Sequence, residues 1–110
     1  TMRRLLPLLC ATAMVVSAVP ASAQSSDASA AWKRRCAMCH GPDGRGQTYM
    51  GRQYGIPDLT TPAWQGSRSD AEVRNVILQG KGRMPGYEGK LSGPEIDSLV
   101  KYIRAMKAPK

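Results

Sequence analysis

The chain has no phenylalanine, a single histidine and three cysteines, and its 16 basic residues outnumber its acidic residues two to one. A core without phenylalanine is short of bulk. The lone His40 excludes paired-histidine metal ligation and any acid–base couple built on two imidazoles. Three cysteines cannot make a disulfide framework, and structural zinc wants four ligands, normally with a second Cys or His pair at a distance. No segment alternates apolar and polar residues over strand length. The βαβ surroundings of a C-x-x-C oxidoreductase are therefore missing. The longest uncharged run, Leu5 to Val19, has 15 residues interrupted by Pro7, against about 20 for a membrane span.

That run has another use. Met2 is followed by Arg3 and Arg4, then by the uncharged run, Pro20 and the small-x-small site Ala21-Ser22-Ala23. This is the order of a secretory signal peptide, with cleavage expected before Gln24. Cys10 falls within the discarded peptide, because Pro7-Leu8-Leu9 lacks the small residues of a lipidation site. Residues 1–23 thus form the leader, and membrane contact follows only if it stays uncleaved. Residues 24–110 form one exported, periplasmic domain of 87 residues with net charge +6. A domain of this size buries only about 60% of its unfolded surface. A disulfide between Cys36 and Cys39 would close too short a loop to help much. A large bound apolar group would supply the missing core.

The pattern along the domain is all-α, three main helices joined by long loops. The first carries Trp32 and ends at Cys36. Residues 41–66 hold six Gly and three Pro and read as a long stretch of little regular structure, which in a compact domain points to function. The second helix starts at the capping box Ser69-Asp70-Ala71-Glu72, carries Val73, Val76 and Ile77, and stops at Gly80. The third starts at Ser92-Gly93-Pro94-Glu95, with Pro in the first turn. Ile96, Leu99, Val100, Ile103 and Met106 form its apolar stripe. Lys101, Arg104 and Lys107 suit its C-terminal end.

Residues 36–40 read Cys-Ala-Met-Cys-His. A zinc site lacks its second pair of ligands, and a redox dithiol lacks its fold. C-x-x-C-H is also the attachment signature of haem c. Each thiol adds across one vinyl group, which holds His40 beneath the ring to bind iron. The group also supplies the missing apolar face. Four methionines remain after the leader as candidates for the opposite axial position, Met38, Met50, Met84 and Met106. Met38 lies inside the attachment loop, and Met106 belongs to the stripe of the last helix. Met84, 44 residues beyond His40 and followed by Pro85 in a glycine-rich loop, is favoured. Met50, ten residues beyond His40, and an open or water-bound iron remain as alternatives.

The ordered set CAMCH, GPDGRG at 41–46, PDLT at 57–60, GKGRMPGY at 80–87 and KLSGPEIDSLVKYI at 90–103 resembles the small class I cytochromes c. The resemblance covers nearly all of residues 24–110. It implies a fold in which the first and last helices cross around one covalent haem, with Trp32 and Tyr102 at the crossing. It also implies cofactor attachment through Cys36 and Cys39 with His40 and Met84 on the iron. Pro57 matches the carbonyl that accepts from the proximal imidazole, and Tyr54 and Trp64 match donors to the propionates.

The expected function is one-electron transfer between redox proteins, with no catalysis by the chain itself. Lys81, Arg83 and Lys90 around Met84 suit partners with acidic docking surfaces. Nucleic-acid binding is excluded for an exported chain whose basic residues are not interleaved with stacking aromatics. Gly86, between Pro85 and Tyr87, is expected to soften the methionine loop. It thereby supports a second reading, a haem-based gas sensor or peroxidase-like protein with a labile methionine.

Overall fold

The computed structural model describes residues 3–17 and 21–107. The expected start at Met2 and the Pro20 of the leader lie outside the described residues. Residues 3–17 carry no regular structure and are exposed. Among the described residues no helix is long and apolar enough to cross a membrane.

Among the described residues six helices follow in order: α1 Ala21–Arg35, α2 Ala37–His40, α3 Tyr49–Tyr54, α4 Pro62–Ser67, α5 Asp70–Gln79 and α6 Gly93–Arg104. Among the described residues, β pairing is limited to isolated bridges between Lys81 and Met84 and between Glu88 and Leu91. The helices at Ser69 and Ser92 start as their capping boxes require. In both, the serine hydroxyl accepts from the backbone N–H three residues on, and the glutamate accepts from the serine N–H. The Ser92 backbone and hydroxyl, bonded to the Glu95 carboxylate, hold its pKa below the usual range.

Two short helices lie within the stretch expected to be irregular. Thr48 accepts from Gly51 N–H to start α3, and Thr61 accepts from Trp64 N–H to start α4, with Pro62 in its first turn. Both helices have six residues, too few to show a helical period.

The core sits where α1 crosses α6, the most extensive helix pair. Trp32, Ile96 and Leu99 are its largest fully buried side chains. Ile96, Leu99, Val100 and Ile103 line one face of α6, while Met106 lies half-buried beyond the helix end. The rings of Trp32 and Tyr102 are 5.7 Å apart at the crossing. The indole N–H, buried with the ring, donates to Gly41 O at 3.0 Å. Truncating a buried Trp to Ala costs about 3–5 kcal/mol.

A polar staple closes the other end. Arg104 donates through Nε to Asp70 at 2.7 Å, through one terminal nitrogen to Gln65 O at 2.8 Å, and through the other to Arg68 O. Gln65 in turn donates to Leu59 O at 2.7 Å and Ile103 O at 3.0 Å. One guanidinium thus joins α4, the start of α5 and the end of α6. Arg104→Ala strands the carbonyls of Gln65 and Arg68 at once. Urea titration is expected to show a loss of about 1.5–3 kcal/mol, the range for hydrogen bonds to a charged group. Arg104→Lys is expected to restore little of it, because an ammonium cannot reproduce the fork.

Candidate functional site

The chain turns sharply at residues 36–46. Cys36 N–H caps onto Trp32 O at 2.8 Å, ending α1, and His40 N–H bonds back to Cys36 O at 2.9 Å to form α2. The next three carbonyls are each engaged from a different direction. Cys39 O accepts from the Thr48 hydroxyl at 2.6 Å, His40 O from Gly46 N–H at 2.7 Å, and Gly41 O from Trp32 Nε1 at 3.0 Å. Gly46 has a φ of 70°, and an added Cβ would lie 2.9 Å from Ile56 O. Only glycine fits both the conformation and the space.

This corner holds the side chains of the motif. Cys36 and Cys39 are half-buried and free, and Cys36 packs against the core. Burial pushes the Cys36 thiol up to about 11, opposed by Arg35 and reinforced by Cys39. A redox dithiol needs the reverse, a depressed pKa that yields thiolate. The His40 ring stands 5.7 Å from that of Trp32. Its Nδ1 is buried with no hydrogen-bond partner, and burial lowers its pKa. The imidazole is therefore neutral, the form that offers a lone pair to a metal. Pro57, expected to accept from this ring, does not do so here. Its carbonyl lies instead 3.5 Å from where a Cβ on Gly46 would stand. Among the described residues, no group of three or more His, Cys, Asp or Glu is placed to hold a metal ion.

The four methionines separate by position. Met38 is 79% exposed. Met50 is half-buried on α3. Met106 packs on the core, with its sulfur 2.6 Å from where a Cβ on Gly44 would stand. Met84 also packs against the core, and it lies in the segment between α5 and α6. Its backbone N–H and carbonyl both pair with Lys81, at 2.9 and 3.0 Å. Tyr87 N–H donates to Ile77 O and Glu88 N–H to Leu78 O, strapping the end of the segment to α5. The Tyr87 hydroxyl reaches Arg35 O at 3.0 Å, beside Cys36. Trp64 is half-buried against the core, and Tyr54 is 41% exposed at the end of α3.

The family model described as cytochrome C oxidase, cbb3-type, subunit III matches residues 23–103. The chain belongs to this family of c-type cytochromes. The FixPc subunit of the cbb3-type cytochrome c oxidase of Rhizobium leguminosarum bv. viciae is 33% identical over 72 residues, 64% of this chain and 24% of that protein. The CcoP subunit of the Azospirillum brasilense oxidase is 33% identical over 87 residues, 73% of this chain and 30% of that protein. The chain thus spans less than a third of the length of either subunit. Cytochrome c-551 of Halorhodospira halochloris is 34% identical over 70 residues, 62% of this chain and 77% of that protein. Among solved structures, the KustC0563 c-type cytochrome superposes with a TM-score of 0.70 at 29% identity, covering 74% of this chain and 99% of that one.

A c-type cytochrome is an electron-transfer component and carries covalently attached haem c with its iron. The residues present fit such a group. An imidazole with an orphaned buried nitrogen stands beside Trp32, two free thiols share its turn, and the Met84 thioether packs on the same core.

The sequence missed three residues that shape this cytochrome's site. Thr48 and Gly46 pin the carbonyls of Cys39 and His40, and Tyr87 ties the methionine segment to Arg35. The only local sign was Thr48 three residues before Gly51. Gly86 was legible but misread. It does not slacken the methionine segment: a Cβ there would lie 2.5 Å from Leu78 O and 2.7 Å from the Gln79 carbonyl carbon. The glycine lets the segment lie directly on the last turn of α5. Gly86→Ala is expected to lift it off, costing more than about 1 kcal/mol in thermal or urea unfolding.

Proposed function

We propose that the chain is a one-electron carrier holding one haem c through Cys36 and Cys39, with His40 and Met84 as the axial ligands of the iron. The observation that carries this reading is the buried, orphaned Nδ1 of the half-buried His40, which shares one short turn with the free Cys36 and Cys39 and stands beside Trp32 of the core that also receives Met84. When bound, the group supplies a one-electron couple whose potential is set by its ligands and surroundings. The chain supplies the rest. Burial keeps His40 neutral, so its lone pair is available. The Met84 thioether is the ligand that raises the potential relative to a second imidazole. If His40 and Met84 held the iron between them, no place would be left for a substrate, and His40 is the only histidine.

The working compartment under this reading is the periplasm, reached through the leader at 1–23. The cbb3 oxidase subunits among the relatives suggest delivery of electrons to a respiratory oxidase. Lys81, Arg83 and Lys90 are exposed around the Met84 segment. They take no part in the ion pairs Arg45–Asp43, Arg74–Asp97 and Arg104–Asp70. With no ion pair to them among the described residues, their charge favours a partner with an acidic face.

Optical spectra of the oxidised protein test the ligand set. The wild type is expected to show the weak far-red iron–sulfur band, and Met84→Ala to lose it while keeping covalent haem. A high-spin wild type sinks the assignment, and a band surviving the substitution moves it to Met50. Docking is tested by the rate of electron transfer to an acidic redox partner. The rate is expected to fall roughly tenfold or more from low to high salt. Lys81→Gln/Lys90→Gln is expected to flatten that dependence; an unchanged slope would remove the docking role.

A further inference from the structure

The turn at Lys81–Met84 lies in the open. Lys81, Gly82 and Arg83 are exposed, and the two backbone hydrogen bonds of the turn run between Lys81 and Met84. Those bonds shape the turn but do not fix where it lies. The straps at Tyr87 and Glu88 hold the segment only after Met84 has passed. Besides the packing of Met84 on the core, the turn reaches α3 through Arg83, whose guanidinium carbon stands 4.9 Å above the centroid of the Tyr54 ring. Tyr54 is the last residue of α3. The helix α3 is capped by Thr48, whose hydroxyl donates to Cys39 O. A continuous path thus runs from the His40 corner through α3 to the residue next to Met84.

We propose that Arg83 and Tyr54 form a clasp that positions Met84, closing the methionine turn against α3. The proposal rests on Met84 being an axial ligand. Arg83 acts through its neighbour and has no contact with iron assigned to it; it is a positioning residue. The clasp exists only when the turn is closed. Breaking it raises the fraction of molecules in which Met84 is displaced and an outside ligand can enter. The apparent affinity for such a ligand rises by the same factor, since it is the intrinsic affinity scaled by the competent fraction. An exposed cation–π contact corresponds to roughly two- to fivefold.

The experiment titrates the oxidised, haem-bearing protein with imidazole, following the far-red band. Imidazole binds in its neutral form, so loss of the Arg83 charge does not itself steer it. Arg83→Gln and Tyr54→Leu are each expected to tighten imidazole binding roughly two- to fivefold. The double substitution is expected to add nothing beyond either single one, because both remove the same contact. Tyr54→Phe keeps the ring face and is expected to bind imidazole close to the wild type, far from Tyr54→Leu, whatever its hydroxyl lends to the haem. A purely structural role for the two side chains would produce neither the coupling nor the Phe rescue. Unchanged affinity in both single variants, effects that multiply in the double, or a Tyr54→Phe that behaves as Tyr54→Leu would each overturn the clasp. Both side chains are exposed, and if one variant fails to retain haem, the other reads the same contact. Met84→Ala separates the two layers. A band that survives it overturns the axial assignment and the clasp with it. A band that it abolishes, with inert titrations elsewhere, overturns the clasp alone.

Discussion

A buried imidazole nitrogen without a partner is costly, about 1–3 kcal/mol for a group left unmade. The His40 corner holds one in place. It does so by fixing the backbone rather than the ring. Three successive carbonyls, of Cys39, His40 and Gly41, are held by Thr48, Gly46 and Trp32. These donors come from α1, from the loop after the motif and from the cap of α3. The site is therefore set by the packing around it. Trp32 serves twice, filling the α1–α6 crossing with its ring and securing Gly41 with its N–H. The crossing and the motif are one unit, and damage to either reaches the other.

The methionine side follows a different logic. Its segment is laid on the last turn of α5 with no room for a side chain at residue 86. Its far end is tied to α5 and to Arg35, while its tip is open. Rigidity on one side and exposure on the other let a single segment seat Met84 on the core and present basic charge at the surface. The close fit at Gly86 speaks against a labile ligand arising from slack backbone. Any lability belongs to the tip.

What the sequence disclosed depended on whether the signal was local. Ser69 and Ser92 announced their helices because both partners of a capping box lie within four residues. The stripe Ile96, Leu99, Val100 and Ile103 announced its buried face for the same reason. The expectation of haem c was readable because Cys36, Cys39 and His40 fall in one pentapeptide with the attachment signature. Met84 stood out from Met50 by its loop and its distance along the chain. The helices after Thr48 and Thr61 escaped notice because six residues show no period. Gly86 was misjudged because closeness to Leu78 O is a property of the folded chain, invisible in the string Met-Pro-Gly-Tyr. The carbonyl bond expected from Pro57 failed for a similar reason. The loop instead brings the Ile56 and Pro57 carbonyls against Gly46.

The crossing of α1 and α6 also bears on when the domain can fold. Trp32 and Tyr102 meet across a separation of 70 positions, so the contact that seals the core is among the least local in the chain. Closing so long a loop has an entropic cost that must be met before burial repays it. A nascent chain that has not yet yielded residues 96–103 has nothing with which to cover Trp32. Until the last helix emerges, the Cys36–His40 segment beside Trp32 stays uncovered on that side.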